Sequence, residues 1–153
     1  MLVHTNIIFI FDPMDKERTY CGCLYFNSNA LARIMTKLAD EAFAPVSLTS
    51  SYAFLLMTVQ KKPGINPKEI ASEMQLTAST VTRLIEKMEY RGLLERKVVG
   101  RTTEVYSTQK CEDMYDEIKG CWKNLKTKYE ELIGKELADE LTMNLRESLM
   151  QLD

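Results

Sequence analysis

The feature of this sequence that most limits its possible folds is a pair of short helical patterns separated by a three-residue turn. Asn66-Pro67-Lys68-Glu69 is typical of a helix start, because asparagine caps free amides, proline suits the first helical position and glutamate completes a capping box. Apolar residues then continue at helical spacing to Met74, and Gln75-Leu76-Thr77 forms the predicted turn. A second helix is predicted over 78–90, with one apolar and one polar face. This order predicts a helix-turn-helix.

A basic β-hairpin is predicted directly after the second of these helices. Gly92 lies where the end of a helix favours a left-handed residue. Residues 93–99 and 102–107 are both β-prone, and Gly100-Arg101 forms the turn between them. A helix-turn-helix followed by such a hairpin is the order of elements in a winged helix, where the hairpin is the wing.

Longer helical patterns flank this segment. Helices are predicted from Tyr20 to about residue 44, where Pro45 ends the pattern, and over 52–60. Residues 112–152 are helical throughout apart from a break at Gly134. The apolar residues between positions 114 and 149 recur at steps of three and four. Such a stripe can pack on its own domain, but its length favours burial against a second subunit.

The predicted fold class is therefore mainly α, an α+β winged helix with helices added at both ends. The first thirteen residues show no sequence pattern that continues in the rest of the chain. Met14 precedes a polar run that is typical of the beginning of a protein, so residues 1–13 are predicted to be an extension. The predicted organisation is an extension over 1–13 and a single domain over 14–150, with a winged helix-turn-helix lobe over about 48–110 and N- and C-terminal dimerisation helices over about 18–44 and 111–150.

The distribution of charge supports a nucleic-acid partner better than the total does. The chain has a net charge of −2, which alone argues against one. Residues 61–110, however, hold ten Lys and Arg against six Asp and Glu, a net of +4. The remaining residues hold ten against sixteen, a net of −6. A basic middle between acidic flanks is consistent with a segment that faces DNA.

Composition and motifs exclude several other classes. The 45% hydrophobic and 27% charged content is typical of a soluble globular protein. The apolar run over 7–11 is too short for a signal peptide or a membrane span, so a cytoplasmic protein with free thiols and no membrane partner is expected. No histidine accompanies a nucleophile, and no glycine-rich phosphate loop or metal cluster is present. We therefore expect no enzyme, no cofactor and no metal.

The candidate DNA contacts lie on the second helix and on the wing. Arg83 can form two hydrogen bonds to guanine, small hydroxyls allow close approach to phosphates, and Arg101 at the hairpin tip can reach the minor groove. The alternatives are an ordinary helix with a solvated polar face, or a winged helix that binds protein. The predicted contacts with double-stranded DNA are Thr77, Ser79, Thr80, Thr82, Arg83, Lys87, Arg96, Lys97 and Arg101.

The segment LTASTVTRLIEKMEYRGLLERK resembles the helix-turn-helix of the MarR family of winged-helix regulators, and the likeness extends over roughly residues 20–150. The resemblance implies an obligate homodimer that binds a pseudo-palindromic operator, usually as a repressor. It also implies that the protein releases DNA when a small phenol-like or lipophilic ligand binds between the dimer helices and the DNA-binding lobe. Tyr25, Tyr52 and Tyr115 are the candidate pocket residues, although core packing is the favoured interpretation of each one taken singly. Family wings often carry an Asp-x-Arg brace, whereas Val98-Val99-Gly100-Arg101 lacks the aspartate.

Cys21-Gly22-Cys23 allows three interpretations: metal ligands, a redox pair or two packing residues. No further Cys or His accompanies the pair as a zinc site requires. A peroxide-sensing subgroup of the resembled family carries a reactive cysteine at the start of its first helix, four residues before a tyrosine, and Cys21 and Tyr25 match this spacing. If Cys21 lies in the first helical turn, the helix N-terminus would favour its thiolate. That subgroup also has a tyrosine directly after a Leu-Thr pair, where this sequence has Ser50. Packing is therefore the favoured interpretation of Cys21 and Cys23.

Overall fold

The computed structural model describes residues 19–152 of the chain. The chain divides into two compact units, Met1–Met35 and Thr36–Asp153, which are described separately. A single turn of 3-10 helix, Ala44–Val46, follows the first α-helix. The elements of the described part are α1 (Leu24–Phe43), α2 (Ser50–Lys61), α3 (Pro67–Met74), α4 (Ala78–Tyr90), β1 (Leu94–Val99), β2 (Thr102–Ser107), α5 (Gln109–Ile133) and α6 (Lys135–Leu152).

In the first unit, α1 begins later than its apolar pattern predicted. The backbone N–H of Cys23 donates to the carbonyl of Tyr20 at 2.9 Å and closes a turn, and the N–H of Asn27 donates to the carbonyl of Cys23 at 3.0 Å. Cys21 therefore precedes the helix, and the expectation that it lies in the first helical turn is wrong. Gly22 contributes to this result, because glycine is a poor helix former and suits the turn.

The core of the second unit lies between α2, α3, α4, the hairpin and the first half of α5. Both the end of α1 and the end of β2 contribute to it. The predicted inner face of α4 is confirmed: Val81, Ile85 and Met88 are buried, and Leu84 packs partly against them. The largest fully buried side chains are Phe43, Leu55, Leu56, Ile65, Ile70, Ile85, Met88, Leu93, Ile118, Val59, Val81 and Val105.

Local signals define the helix ends as predicted. The side chain of Asn66 accepts the backbone N–H of Glu69 at 2.9 Å, and the carboxylate of Glu69 accepts the N–H of Asn66 at 3.3 Å, which completes the capping box. Thr77 caps α4, and Gly92 has the positive φ of 69° that its position after the helix requires. The helix-turn-helix therefore has the predicted bounds.

The hairpin is anchored to the lobe through β2. Its strands pair antiparallel from Leu94↔Ser107 to Val99↔Thr102. The backbone N–H of Val105 donates to the carbonyl of Ile65 at 3.0 Å, and the N–H of Gly64 donates to the carbonyl of Val105 at 2.9 Å. The segment before α3 thus forms a single β-bridge, Ile65↔Val105, along the outer edge of β2.

The predicted apolar stripe of the C-terminal helices divides in two: Ile118 and Leu125 of α5 are buried in the core of the same chain, whereas the stripe of α6 is largely exposed. α5 ends at Gly134, whose φ is 83°, and α6 follows immediately. Within α6 only Ala138 is buried, whereas Leu137, Leu145 and Leu149 are exposed.

In the part of the chain that the structure describes, no single helix is long and apolar enough to cross a membrane. One bent pair of helices, α1 with its 3-10 turn and α2, meets the same criterion by length and composition.

Candidate nucleic-acid interface

The N-terminal end of α4 presents a group of hydroxyls. The Thr77 Oγ1 accepts the backbone N–H of Thr80 at 3.3 Å and lies 3.1 Å from Ser79 Oγ and 2.9 Å from Thr80 Oγ1. Thr82 lies on the same exposed helix and donates its hydroxyl to the carbonyl of Ala78 at 2.9 Å. All four predicted hydroxyl residues are exposed. The Thr82 hydroxyl is left to act as an acceptor, because its proton is already used within the helix.

The middle of α4 presents two cations on one face. Arg83 and Lys87 are four residues apart, which places them one above the other on the helix surface. Both side chains are exposed, and neither forms an ion pair with any residue between 19 and 152. Their full charges therefore face solvent beside the hydroxyl group. A helix of this composition can meet phosphates at its start and base edges along its first two turns.

Arg96, one of the predicted DNA contacts, forms an ion pair within the lobe. Its guanidinium Nη2 lies 2.6 Å from Glu89 Oε2, and its backbone N–H donates to Glu89 Oε1 at 3.1 Å. The side chain predicted as a DNA contact is thus bound to α4. Glu89 was not predictable from the sequence, because nothing in the spacing shows that the hairpin turns back along this helix.

Lys97 is also compensated within the hairpin. Its Nζ lies 2.7 Å from Glu95 Oε1 and 4.7 Å from the ring centroid of Tyr106. The hydrogen bond with Glu95 raises the pKa of Lys97, and the hydrogen bond to Glu104 raises the pKa of Tyr106. This face of the wing holds two carboxylates beside one lysine. Lys97 therefore presents less net positive charge to a polyanion than its sequence position implied.

The tip of the wing is open. Gly100 has a φ of 61°, and the Thr102 hydroxyl donates to the carbonyl of Val99 at 3.0 Å, closing the turn. Arg101 at this turn is exposed and has no ion pair within the described residues. Of the five cations predicted to contact DNA, Arg83, Lys87 and Arg101 are free, whereas Arg96 and Lys97 are paired.

The C-terminal end of α4 is joined to the neighbouring elements through its carbonyls. The Arg91 guanidinium donates to the carbonyl of Ser47 at 3.0 Å, and Lys110 Nζ donates to the carbonyl of Arg91 at 2.9 Å. The Thr108 hydroxyl donates to the carbonyl of Gly92 at 2.7 Å. Because Thr108 also caps α5, this one residue joins the end of α4 to the start of α5.

A groove of about 580 Å³ lies between α2 and α5. Tyr115 lines it, whereas Tyr52 packs against the core and Tyr25 is exposed in the first unit. Lys119 at the rim is paired with Asp116 at 2.8 Å, and this hydrogen bond raises its pKa. The groove is also lined by Phe54, Met57, Lys61, Lys62 and Trp122.

The cysteines differ widely in environment. Cys111 is fully buried at the start of α5, and desolvation raises its pKa to about 11. Cys21 is half-buried and Cys23 is exposed. Among residues 19–152 no three His, Cys, Asp or Glu side chains are grouped as a metal site requires.

Comparison with known proteins gives a consistent set of relatives. The family model described as the MarR family matches residues 48–98. The HTH-type transcriptional regulator YwoH of Bacillus subtilis (strain 168) is 33% identical over 115 residues, covering 73% of this chain and 80% of that protein. An organic hydroperoxide resistance transcriptional regulator of the same organism is 25% identical over 87 residues, covering 57% of this chain and 56% of that protein.

Solved structures show the same winged-helix fold. The transcriptional repressor CouR bound to a 23-mer DNA duplex superposes with a TM-score of 0.77 at 20% identity, covering 91% of this chain and 98% of that one. CouR from Rhodococcus jostii RHA1 bound to p-coumaroyl-CoA gives a TM-score of 0.68 at 20% identity, and the match covers 80% of this chain and 88% of that one.

Proposed function

This chain belongs to the MarR family of DNA-binding transcriptional regulators, and from that premise we propose that it acts in the cytoplasm as a homodimeric repressor of a pseudo-palindromic operator. Each protomer would place α4 in the major groove of one half-site. The wing would reach the neighbouring minor groove or phosphates through Arg101. The family is one of regulators rather than enzymes, so this activity is binding alone.

The observation that carries this proposal is the unpaired positive charge on α4 and at the tip of the wing. The ion pairs Arg96–Glu89, Lys97–Glu95 and Lys62–Glu69 neutralise cations at the sides of the lobe. Arg83 and Lys87 on α4, with Arg101 on the wing, have no ion pair among the described residues, and Lys61 and Lys68 elsewhere on the lobe also have none. The free cations on α4 and at the wing tip lie beside the hydroxyl group at the start of α4, and binding to DNA phosphates depends on such cations.

Substitution of the two free arginines tests the assignment. Arg83→Ala should weaken operator binding by roughly 1–3 kcal/mol and relax base preference at one position per half-site, because arginine reads guanine through two hydrogen bonds. Arg101→Ala should weaken binding more evenly across sequences. Lys123→Ala on α5, an exposed cation outside the lobe, is the matched control. Unchanged affinity in both arginine variants, measured by fluorescence anisotropy, would refute the proposed contacts.

Dimerisation is proposed from the exposed stripe of α6. Leu145 and Leu149 are 44% and 45% exposed on a helix in which only Ala138 is buried. A protein that binds two half-sites one helical turn apart needs two recognition helices. A second copy of the chain would cover the stripe and supply the second recognition helix.

The α2–α5 groove is the proposed site of a small lipophilic or phenolic ligand that releases DNA. Phe54, Met57 and Trp122 offer apolar and aromatic surface, and Lys61 at the rim has no ion pair within the described part of the chain. The related fold of CouR binds p-coumaroyl-CoA. An aromatic molecule with an acidic group would place its ring between α2 and α5 and its charge beside Lys61.

The single tryptophan of the chain makes this site testable. Trp122 is 52% exposed in the groove, so an aromatic probe bound there should change its fluorescence. The probe is 1-anilinonaphthalene-8-sulfonate, and its uncharged analogue N-phenyl-1-naphthylamine is the control. Lys61→Gln should weaken binding of the sulfonate and leave the analogue unaffected. Equal binding of both probes to both proteins would argue against an anion site at Lys61.

Thiol sensing is the second candidate, favoured by the likeness to a hydroperoxide resistance regulator. The position of Cys21 before α1 removes the helix-terminus argument for its reactivity. We therefore expect the operator complex to withstand organic hydroperoxide. Release by oxidant that is lost in Cys21→Ser and retained in Cys23→Ser would establish the sensor instead.

A further inference from the structure

The base of the wing is held from both sides at a single level, the pair Arg96↔Val105. The backbone N–H and carbonyl of Val105 both bond to the Gly64–Ile65 segment, so they point away from β1. In an antiparallel ladder the residue opposite such a position also points its backbone groups outward. The N–H of Arg96 accordingly faces the other edge of the hairpin, where Glu89 of α4 accepts it.

Glu89 uses both oxygens on the same residue of the wing. Oε1 accepts the backbone N–H of Arg96 at 3.1 Å, and Oε2 lies 2.6 Å from its guanidinium Nη2. The two side chains are only 25% and 37% exposed, so solvent screens the pair less than it screens an open surface pair. The carboxylate thus fixes both the main chain and the side chain of Arg96 against the DNA-reading helix.

We propose that Glu89 is a positioning residue for DNA binding: its clamp on Arg96 sets the direction of the wing relative to α4, and so the contact that Arg101 makes. This inference rests on the wing contact assigned under the proposed function. No Asp-x-Arg brace is available at the tip, and the clamp supplies the fixed orientation from the base.

The length of the wing makes the clamp consequential. Gly100 lies four residues beyond Arg96, about 13 Å at the rise of an antiparallel strand. A rotation of about 10° at the clamp would move the tip by roughly 2 Å, more than the distance range of a hydrogen bond to a phosphate allows. The outer wing cannot correct this by itself, because Val98 is 81% exposed and offers little packing.

The sign of the expected effect distinguishes this role from simple electrostatics. An acidic side chain beside the DNA-binding surface repels phosphates, so its removal alone should strengthen binding. Removal of a clamp should weaken binding despite the gain in positive charge. Glu86, exposed on the same helix and without an ion pair among the described residues, has the charge without the clamp and provides the matched control.

The first measurement needs no DNA. Amide hydrogen exchange of Glu89→Ala should show the Arg96 N–H and its wing neighbours exchanging about tenfold faster, with the amides of α2 unchanged. Glu89→Gln keeps an oxygen that can accept this N–H and should lie between wild type and Glu89→Ala, which keeps the test usable if the alanine variant folds poorly. Glu86→Ala should match wild type. Unchanged wing exchange in both Glu89 variants overturns the clamp.

The second measurement is operator affinity in a double-mutant cycle with Arg101→Ala. Glu89→Ala should weaken binding about as much as Arg101→Ala, and the double variant should be scarcely weaker than either, because both changes remove one wing contact. Glu86→Ala should bind equally or more tightly. Additive losses, or tighter binding by Glu89→Ala, overturn the positioning role. A loosened wing with unaltered affinity in Glu89→Ala and Arg101→Ala would instead refute the wing contact of the proposed function.

Discussion

The winged-helix lobe and α6 are built from equally regular apolar patterns, yet they reach different degrees of burial. In the lobe, Leu56, Ile70 and Val105 come from three separate elements and are completely buried against one another. In α6, Leu145 and Leu149 recur with the same regularity and remain almost half exposed. The lobe completes its core within one chain, whereas α6 presents an apolar face that residues 19–152 leave open.

This difference shows that an apolar stripe on a helix can be covered either by the same chain or by a partner. Periodicity states which face of a helix is apolar, but it does not state which element covers that face. For the lobe, the covering elements follow within sixty residues of sequence and include both strands. For α6, we propose that a second copy of the chain covers the face. The two regions should therefore respond differently to substitution.

The largest effect is expected from charge placed in the α6 stripe. Leu145 and Leu149 each have about 1–2 kcal/mol of burial still available, and a lysine there would lose hydration on association. The variant carrying both changes to lysine should sediment near 17.6 kDa, against about twice that mass for wild type. Asn144→Lys with Ser148→Lys adds the same charge to exposed neighbouring positions and should stay dimeric. A wild-type monomer at micromolar concentration would contradict the dimer.

A core truncation in the lobe should come next. Leu56→Ala removes a fully buried side chain and should lower the free energy of unfolding by about 2–5 kcal/mol. We would measure it by urea denaturation in the monomeric α6 variant, where association does not contribute. If the monomeric α6 variant is already unfolded, the lobe depends on the partner subunit for its stability as well, and the contrast between the lobe and α6 is wrong.

The capping box should show a smaller loss confined to the lobe. Asn66→Ala removes the side-chain acceptor for the Glu69 N–H and should cost about 1 kcal/mol of stability. Asn144→Ala, at an exposed position inside α6, should cost nothing or stabilise slightly, because alanine is the better helix former. Equal effects of the two substitutions would show that Asn66 does not stabilise α3.

The smallest effect at neutral pH concerns Cys111, at the lobe end of α5. Burial raises the pKa of its thiol from 9.0 to about 11, so the folded protein keeps a proton that the unfolded chain loses between these values. Unfolding then releases a proton, and the free energy of unfolding falls as pH rises through this window. Thermal unfolding from pH 8 to about 11 should show a shallower decline in Cys111→Ala. Cys23→Ala, which changes an exposed thiol, should follow wild type.

Much of the lobe was predictable because its signals are local. Asn66, Thr77 and Gly92 act on backbone groups within four residues, and each has the predicted role. The predicted bounds of α4 match the structure for the same reason. The start of α1 was predicted too early, since apolar spacing continued through Cys21 while a hydrogen-bonded turn took the backbone of these residues.

The candidate DNA interface was predictable only in part. Exposure of Arg83 and Lys87 follows from the helical period, because the opposite face must pack on the core. The pairing of Arg96 with Glu89 could not be inferred, since it depends on how the hairpin folds back beside α4. The same limit applies to the α2–α5 groove, which joins side chains more than fifty residues apart.

The sequence by itself determined the order and type of the elements, their caps and the apolar face of each helix. These properties depend on backbone groups and neighbours a few residues away, so they are written in local order. Tertiary structure alone decided which cations stay free, which carboxylate holds the wing and where the groove lies. Charges and surfaces are paired by distance in space, and residues distant in sequence become neighbours only when the core between them has formed.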